Sequence, residues 1–229
     1  VASDVGGTFT DLEFRSYEAM ATPGIINATV CAAKEGFDAL AIGCFYDTAL
    51  HDSRELSDNM VVVAPCHSSI EIALSLANNF GIIVGRRKWV NQMKGNVHEY
   101  GYADKLVGFY DVGLGVDDFQ VDHQRTVNLL IDAAQKAVEK DYAESIILGC
   151  TAEFGFYRTL QEEIGVPVID PSLAALKKAE HAANLKRKFN LIPSRKWSCE
   201  SPSDKEIEKF NMFKDNDPFG NRIIVSADL

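Results

Sequence analysis

Two stretches of this chain end alike. In Phe37-Asp38-Ala39-Leu40-Ala41-Ile42-Gly43-Cys44 and in Ala143-Glu144-Ser145-Ile146-Ile147-Leu148-Gly149-Cys150, an acidic residue precedes an apolar run that closes in Gly-Cys. A short continuous apolar run suits a parallel strand covered on both faces. The rest of the chain has the alternation such a sheet demands. Strands are predicted near 37–43, 60–65, 80–85, 105–110, 144–149 and 166–169, and helices near 24–36, 67–79, 86–100, 120–140, 153–164 and 171–189. In the helix at 120–140, Val121, Leu129, Leu130, Ala133, Ala134, Ala137 and Val138 form an apolar face, leaving Asp122, Asp132, Lys136, Glu139 and Lys140 for solvent. The order implies right-handed strand-helix-strand units and a parallel α/β architecture. Ligands of such sheets gather at the carboxyl ends of the strands, where both Gly-Cys pairs fall.

Composition narrows the function classes. At 229 residues, 46% hydrophobic and 24% charged, the chain is long enough for a real core and two small lobes. A formal net charge of -10 argues against broad binding to nucleic acid or an anionic membrane, both of which reward a basic surface. The basic run Lys186-Arg187-Lys188 reads as a solvated last helical turn that complements the helix dipole. No apolar run approaches the roughly 18 residues of a membrane span, and no charged-then-apolar leader is visible, so a cytoplasmic protein is expected. The cysteines at 31, 44, 66, 150 and 199 form an odd set without CxxC spacing. That points to neither a disulfide framework nor a metal site, but to free thiols in a reducing compartment. From Pro193 the pattern dissolves into polar residues around Trp197 and Phe210, an extension expected to wrap the body or contact another subunit.

Particular motifs carry a family resemblance. Pro23-Gly24-Ile25, Glu35-Gly36-Phe37-Asp38-Ala39 and Cys44-Phe45-Tyr46-Asp47-Thr48-Ala49-Leu50 with Arg54-Glu55-Leu56 resemble the first cysteine region of the aspartate/glutamate/hydantoin racemase superfamily, closest to its hydantoin racemase branch. The stretch ending Gly149-Cys150-Thr151, followed by Gly165-Val166-Pro167-Val168-Ile169-Asp170, is similar to the second cysteine strand and the strand after it. The resemblance spans about residues 18–190. It implies two pseudo-symmetric parallel-sheet lobes, a flavodoxin-like racemase sandwich with the site between them. The first lobe would comprise 1–75 plus 165–192 and the second 76–164, leaving 193–229 as a C-terminal extension. The opening departs from the family, which normally begins with an Asn-Pro-Asn-like loop. Asp4-Val5-Gly6-Gly7-Thr8-Phe9-Thr10-Asp11 instead looks like the phosphate-binding loop of actin-like ATPases and the N-terminus of hydantoinase/oxoprolinase subunits. No second phosphate loop follows it.

Two thiols have a stereochemical rationale. Inverting a carbon α to a carbonyl removes a proton from one face and delivers another to the opposite face, which two opposed groups accomplish. One cysteine of the Cys44 and Cys150 pair would act as thiolate base while the other donates, with the roles exchanging for the other enantiomer. Helix starts after each cysteine would lower its pKa. Backbone N–H groups after each cysteine, with the Thr151 hydroxyl, would stabilise the developing oxyanion. Phe45, Tyr46, Cys66, His67, Thr151 and Ala152 are the expected substrate-binding residues. Ser68 or Ser69 suits the cap of the helix that Cys66 and His67 open, while Asp47, Glu153 and Asp170 read as helix-start charges and Asp170 also as a cap or site-lining residue. The expectation is a cofactor-independent racemase for a 5-substituted hydantoin, allantoin or related amino acid. A small-molecule substrate and a homo-oligomer are expected, with no metal, nucleic acid or membrane partner. The alternatives are a related cysteine-dependent decarboxylase or isomerase, or a noncatalytic small-molecule-binding protein.

Overall fold

In the computed structural model, which describes residues 2–5, 9–209, 213 and 218–225, the chain divides into two units. One comprises Val1–Leu40, Ala49–Val62 and His181–Leu229, and the other Ala41–Thr48 and Val63–Glu180. Both Gly-Cys pairs belong to the second unit.

The second unit is built on strands β4 (Phe80–Val84), β5 (Leu106–Asp111), β6 (Ile146–Leu148) and β7 (Val168–Ile169), in the spatial order β5-β4-β6-β7. Every pairing is parallel, with Ile82 opposite Ile147 and Ile146 opposite Val168. The strands that read as unbroken apolar runs are the inner ones. Ile82, Ile83, Ile146, Ile147 and Leu148 are fully buried, as strands covered on both faces should be. Around them the core is completed by residues such as Cys66, Ile70, Met93, Val97, Leu130 and Leu160, from helices α3 (Pro65–Leu76), α4 (Val90–Glu99), α5 (His123–Gln135) and α6 (Tyr157–Ile164). Helix α6 stops at Gly165, whose φ of 71° provides the left-handed C-cap that a side chain would disfavour.

Helix α5 starts later than its apolar pattern suggests. Asp122, expected on the solvent face, is its N-cap and accepts the Arg125 N–H at 3.0 Å. Val121 therefore lies outside the helix and is exposed, whereas Leu130, Ala133, Ala134 and Ala137 are buried as expected. The helix continues into a wider π turn, Lys136–Lys140.

In the first unit, α1 (Arg15–Lys34) begins well before the predicted residue 24 and carries Pro23 inside it. Good helix formers between Arg15 and Ala21 extend it on the N-terminal side despite the missing N–H. A six-residue helix, α2 (Leu50–Glu55), escaped the sequence reading; the buried Thr29 hydroxyl of α1 donates to Ser53 of α2 at 3.1 Å. Strands β2 (Ala39–Ala41) and β3 (Val61–Val63) form a separate pair. The Val61 N–H donates to the Asp38 oxygen in the first unit, and the Ile42 N–H to the Val63 oxygen in the second.

The long helix α7 (Pro171–Phe189) ends in the basic run. That run is not simply solvated, because Lys186 and Arg187 contact Asp38 at 3.2 and 2.6 Å and hold its carboxyl below the usual carboxylate range. The C-terminal segment lies along the first unit. Arg195 donates to the Arg54 oxygen at 2.6 Å, the Ser57 hydroxyl at 3.0 Å and the Asp58 oxygen, and Arg222 forks onto Glu35 at 2.7–2.8 Å. A short helix, α8 (Asp204–Lys209), precedes β8 (Phe219–Ile223), which pairs antiparallel with β1 (Ala2–Val5). Of the phosphate-loop-like opening, Gly6, Gly7 and Thr8 lie outside the described residues, as does Phe210.

Candidate active site

Cys150 follows β6 and Cys44 follows the short β2, each half-buried at a carboxyl strand end. The two Gly-Cys turns meet, since the Thr151 hydroxyl donates to the Gly43 carbonyl oxygen at 3.1 Å. That bond uses the Thr151 hydroxyl hydrogen.

Each cysteine starts the same tight turn. The Asp47 N–H donates to the Cys44 oxygen at 2.9 Å and the Glu153 N–H to the Cys150 oxygen at 3.0 Å. The repeat Gly-Cys-x-x-acid is written in Gly43-Cys44-Phe45-Tyr46-Asp47 and Gly149-Cys150-Thr151-Ala152-Glu153. Both acids are buried, where the local sequence suggests only helix-start charges.

Neither cysteine sits directly at an α-helix N-terminus, contrary to expectation. Helix α2 begins only at Leu50 and α6 only at Tyr157. Cys150 instead leads a single 3₁₀ turn, Thr151–Glu153. What lies against Cys44 is the buried Thr48, whose hydroxyl donates to its sulfur at 3.6 Å.

Asp47 ties the first turn to the surrounding helices. Its carboxylate accepts the N–H groups of Cys66 and His67 at 2.8 and 2.9 Å and the Tyr100 hydroxyl at 2.8 Å. Helix α3 is therefore capped by Asp47 from a distant part of the chain, rather than by Ser68 or Ser69, which are buried inside it. Burial pushes the Asp47 carboxyl up to about 6 against the pull of its three donors and of the nearby His67. Burial likewise keeps Glu153 protonated well above the ordinary range, opposed by the Gly149 and Cys150 N–H groups and reinforced by Asp170.

The other expected site residues divide by burial. Phe45, Tyr46 and Cys66 are in the core. The Asn96 side chain donates to the Tyr46 oxygen at 2.6 Å. Burial, with the Asp47 charge, raises the Cys66 thiol far above its usual range. His67 is half-buried, set edge-on against Tyr100 at 4.8 Å and 3.4 Å from Glu71, which Lys178 also contacts at 3.0 Å. Thr151 and Ala152 are half-buried. Asp170 is the N-cap of α7, accepting from Ser172 and Leu173, and it also takes the Gly155 N–H at 3.0 Å. Among the described residues, no group of three or more His, Cys, Asp or Glu side chains is arranged to hold a metal ion, and no helix is long and apolar enough to cross a membrane.

Comparison with known proteins identifies the family. Residues 12–179 match the Asp/Glu/Hydantoin racemase family. The chain belongs to that family. It is 33% identical to a hydantoin racemase of Pseudomonas sp. (strain NS671) over 180 residues, 79% of this chain and 72% of that one. It is 34% identical to a hydantoin racemase of Paenarthrobacter aurescens over 190 residues, 82% and 78% of the two chains. In fold it is similar to the crystal structure of allantoin racemase from Pseudomonas fluorescens, with a TM-score of 0.81 and 22% identity over 88% of this chain and 83% of that one. The protein is an isomerase of the racemase type, with an α/β fold of the same kind as its relatives.

Proposed function

We propose that this racemase inverts the carbon α to a carbonyl in a 5-substituted hydantoin, allantoin or a related amino acid, without a cofactor, using Cys44 and Cys150 as the two proton-transfer groups. The observation that carries the reading is the 3.1 Å bond from Thr151 to the Gly43 oxygen, which joins two half-buried Gly-Cys turns at one edge of the second unit. The names of its relatives support the substrate class. The hydantoin racemases and the allantoin racemase act on five-membered cyclic ureides.

In the reaction, one cysteine thiolate takes the proton from the stereogenic carbon, and the C–H electron pair moves onto the adjacent carbonyl to give an enolate. Backbone N–H groups of the turns after Cys44 and Cys150 hold the oxyanion. The second cysteine, as thiol, delivers its proton to the opposite face, so the two sulfurs exchange protonation states in each turnover. In this reading His67, Thr151 and Ala152 contact the substrate, and Phe45, Tyr46 and Cys66 pack behind them.

Polarimetry on enantiopure 5-substituted hydantoins, both allantoins, aspartate and glutamate tests the assignment. Loss of optical rotation is expected with the cyclic ureides and without added nucleotide, metal or pyridoxal phosphate. Racemisation confined to the free amino acids would overturn the preferred substrate class.

A further inference from the structure

A thiol must be ionised to act as a base, and the expected source of that ionisation, a helix start immediately after the cysteine, is missing at Cys44. The turn that follows runs through Asp47 with φ 53° and Ala49 with φ 58° before α2 begins at Leu50. With these left-handed residues the turn is not helical, and no α-helix N-terminus follows Cys44 directly. Their geometry has a second consequence. It folds Thr48 back over Cys44, so that the hydroxyl four residues on donates to the sulfur at 3.6 Å. Thr48 is 2% exposed, and a buried hydroxyl aimed at sulfur is worth more to the charged thiolate than to the neutral thiol.

We infer that Thr48 is a positioning residue for proton transfer, its hydroxyl orienting the Cys44 sulfur and stabilising its thiolate in place of a helix dipole. The inference rests on the reading of Cys44 as one of the two proton-transfer groups. Asp47 makes the contact persistent. Its bonds to Cys66, His67 and Tyr100 anchor the turn beside Thr48 to the start of α3 and the end of α4. The titratable groups around the turn are Asp47 within it, Cys66, His67 and Glu71 of α3, Tyr100 at the end of α4, and Cys150 with Glu153 beyond the Thr151 bond to Gly43. A substitution at Thr48 leaves all of them in place. At the second turn the residue four positions after Cys150 is Phe154, which carries no hydroxyl.

The test uses the full chain with Thr48→Val, which is nearly isosteric and lacks the hydroxyl, and Thr48→Ser, which keeps it. The rate of iodoacetamide labelling at the Cys44 peptide is followed by mass spectrometry against pH, and kcat/KM for a racemised ureide is measured over the same range. Thr48→Val should raise the apparent titration of Cys44 by about one unit, cutting thiolate at neutral pH roughly tenfold. It should shift the acid limb of the kcat/KM profile upward by a similar amount, while Thr48→Ser stays close to the parent protein on both counts. Circular dichroism of each variant establishes that it is folded. An unchanged Cys44 titration in folded Thr48→Val overturns the inference, whatever the activity. A shifted titration with an unmoved kcat/KM profile upholds the contact and overturns the assignment of Cys44 as a base.

Discussion

The two Gly-Cys motifs look interchangeable in sequence but are not interchangeable in structure, and replacing each glycine by alanine should separate them. A Cβ at Gly149 would overlap the carbonyl oxygen of Ile83 and lie 2.9 Å from Val84 Cγ1 and 3.1 Å from Ile82 Cγ2. The Ile83 oxygen belongs to the backbone of the central strand β4 and already accepts the Gly149 N–H at 2.7 Å, so neither partner can rotate aside. Opening the contact to an ordinary separation requires a backbone shift of about 1 Å, at roughly 1–3 kcal/mol of overpacking strain. Lengthening the hydrogen bond beyond its useful range costs about 1 kcal/mol more. Gly149→Ala is therefore expected to lose about 2–4 kcal/mol in urea unfolding, and displacement of the adjacent Cys150 to lower kcat on the order of 100-fold. Around Gly43 a Cβ would meet nothing within 4 Å, so Gly43→Ala should stay within about 0.5 kcal/mol of the parent. Equal unfolding midpoints for the two variants, or a greater loss in Gly43→Ala, would refute the reasoning.

Asp47→Ala removes the shared acceptor of Cys66, His67 and Tyr100, and after allowing for relief of a buried charge should cost about 2–4 kcal/mol by urea unfolding. Titration of Asp47 also sets a pH dependence of stability. A carboxyl near 6 when folded and 3.8 in the unfolded chain contributes stability that is fully present below about pH 4 and is lost as pH rises through 6. Its share is about 3 kcal/mol, visible as a slope in urea midpoints that Asp47→Asn removes. In native iodoacetamide labelling, exposed Cys199 should react and fully buried Cys66 should not until the chain is unfolded. Arg195→Ala deletes the ties of the C-terminal segment to Arg54, Ser57 and Asp58 and should lower stability by about 1–2 kcal/mol, read as a drop in Tm.

The strands that made the fold class legible were those buried on both faces, because nothing polar interrupts runs such as Ile146-Ile147-Leu148. Family motifs around Cys44 and Cys150 were legible too, because both cysteines closely follow strands in the local sequence. Helix α2 was invisible because its six residues, mostly polar, span less than two turns and follow a left-handed Ala49 rather than a capping side chain. The early start of α1 was hidden by Pro23, which normally marks a boundary. Asp47 as the cap of α3 lay beyond local reading because the donors are 19 and 20 residues away and only the tertiary fold brings them together. Thr48 was passed over for a similar reason, since its approach to Cys44 depends on two left-handed residues that the sequence Asp47-Thr48-Ala49 does not advertise.

The central claim is that two thiols act on opposite faces of one carbon. It is tested most directly by following an enantiopure 5-substituted hydantoin in deuterated water with the parent protein, Cys44→Ser and Cys150→Ser, against an enzyme-free control. The parent protein should place solvent deuterium in the inverted product. Each serine variant should lose racemisation yet retain α-proton exchange with one enantiomer, the two variants preferring opposite enantiomers. Inversion without deuterium uptake, or undiminished racemisation by either variant, would contradict the account.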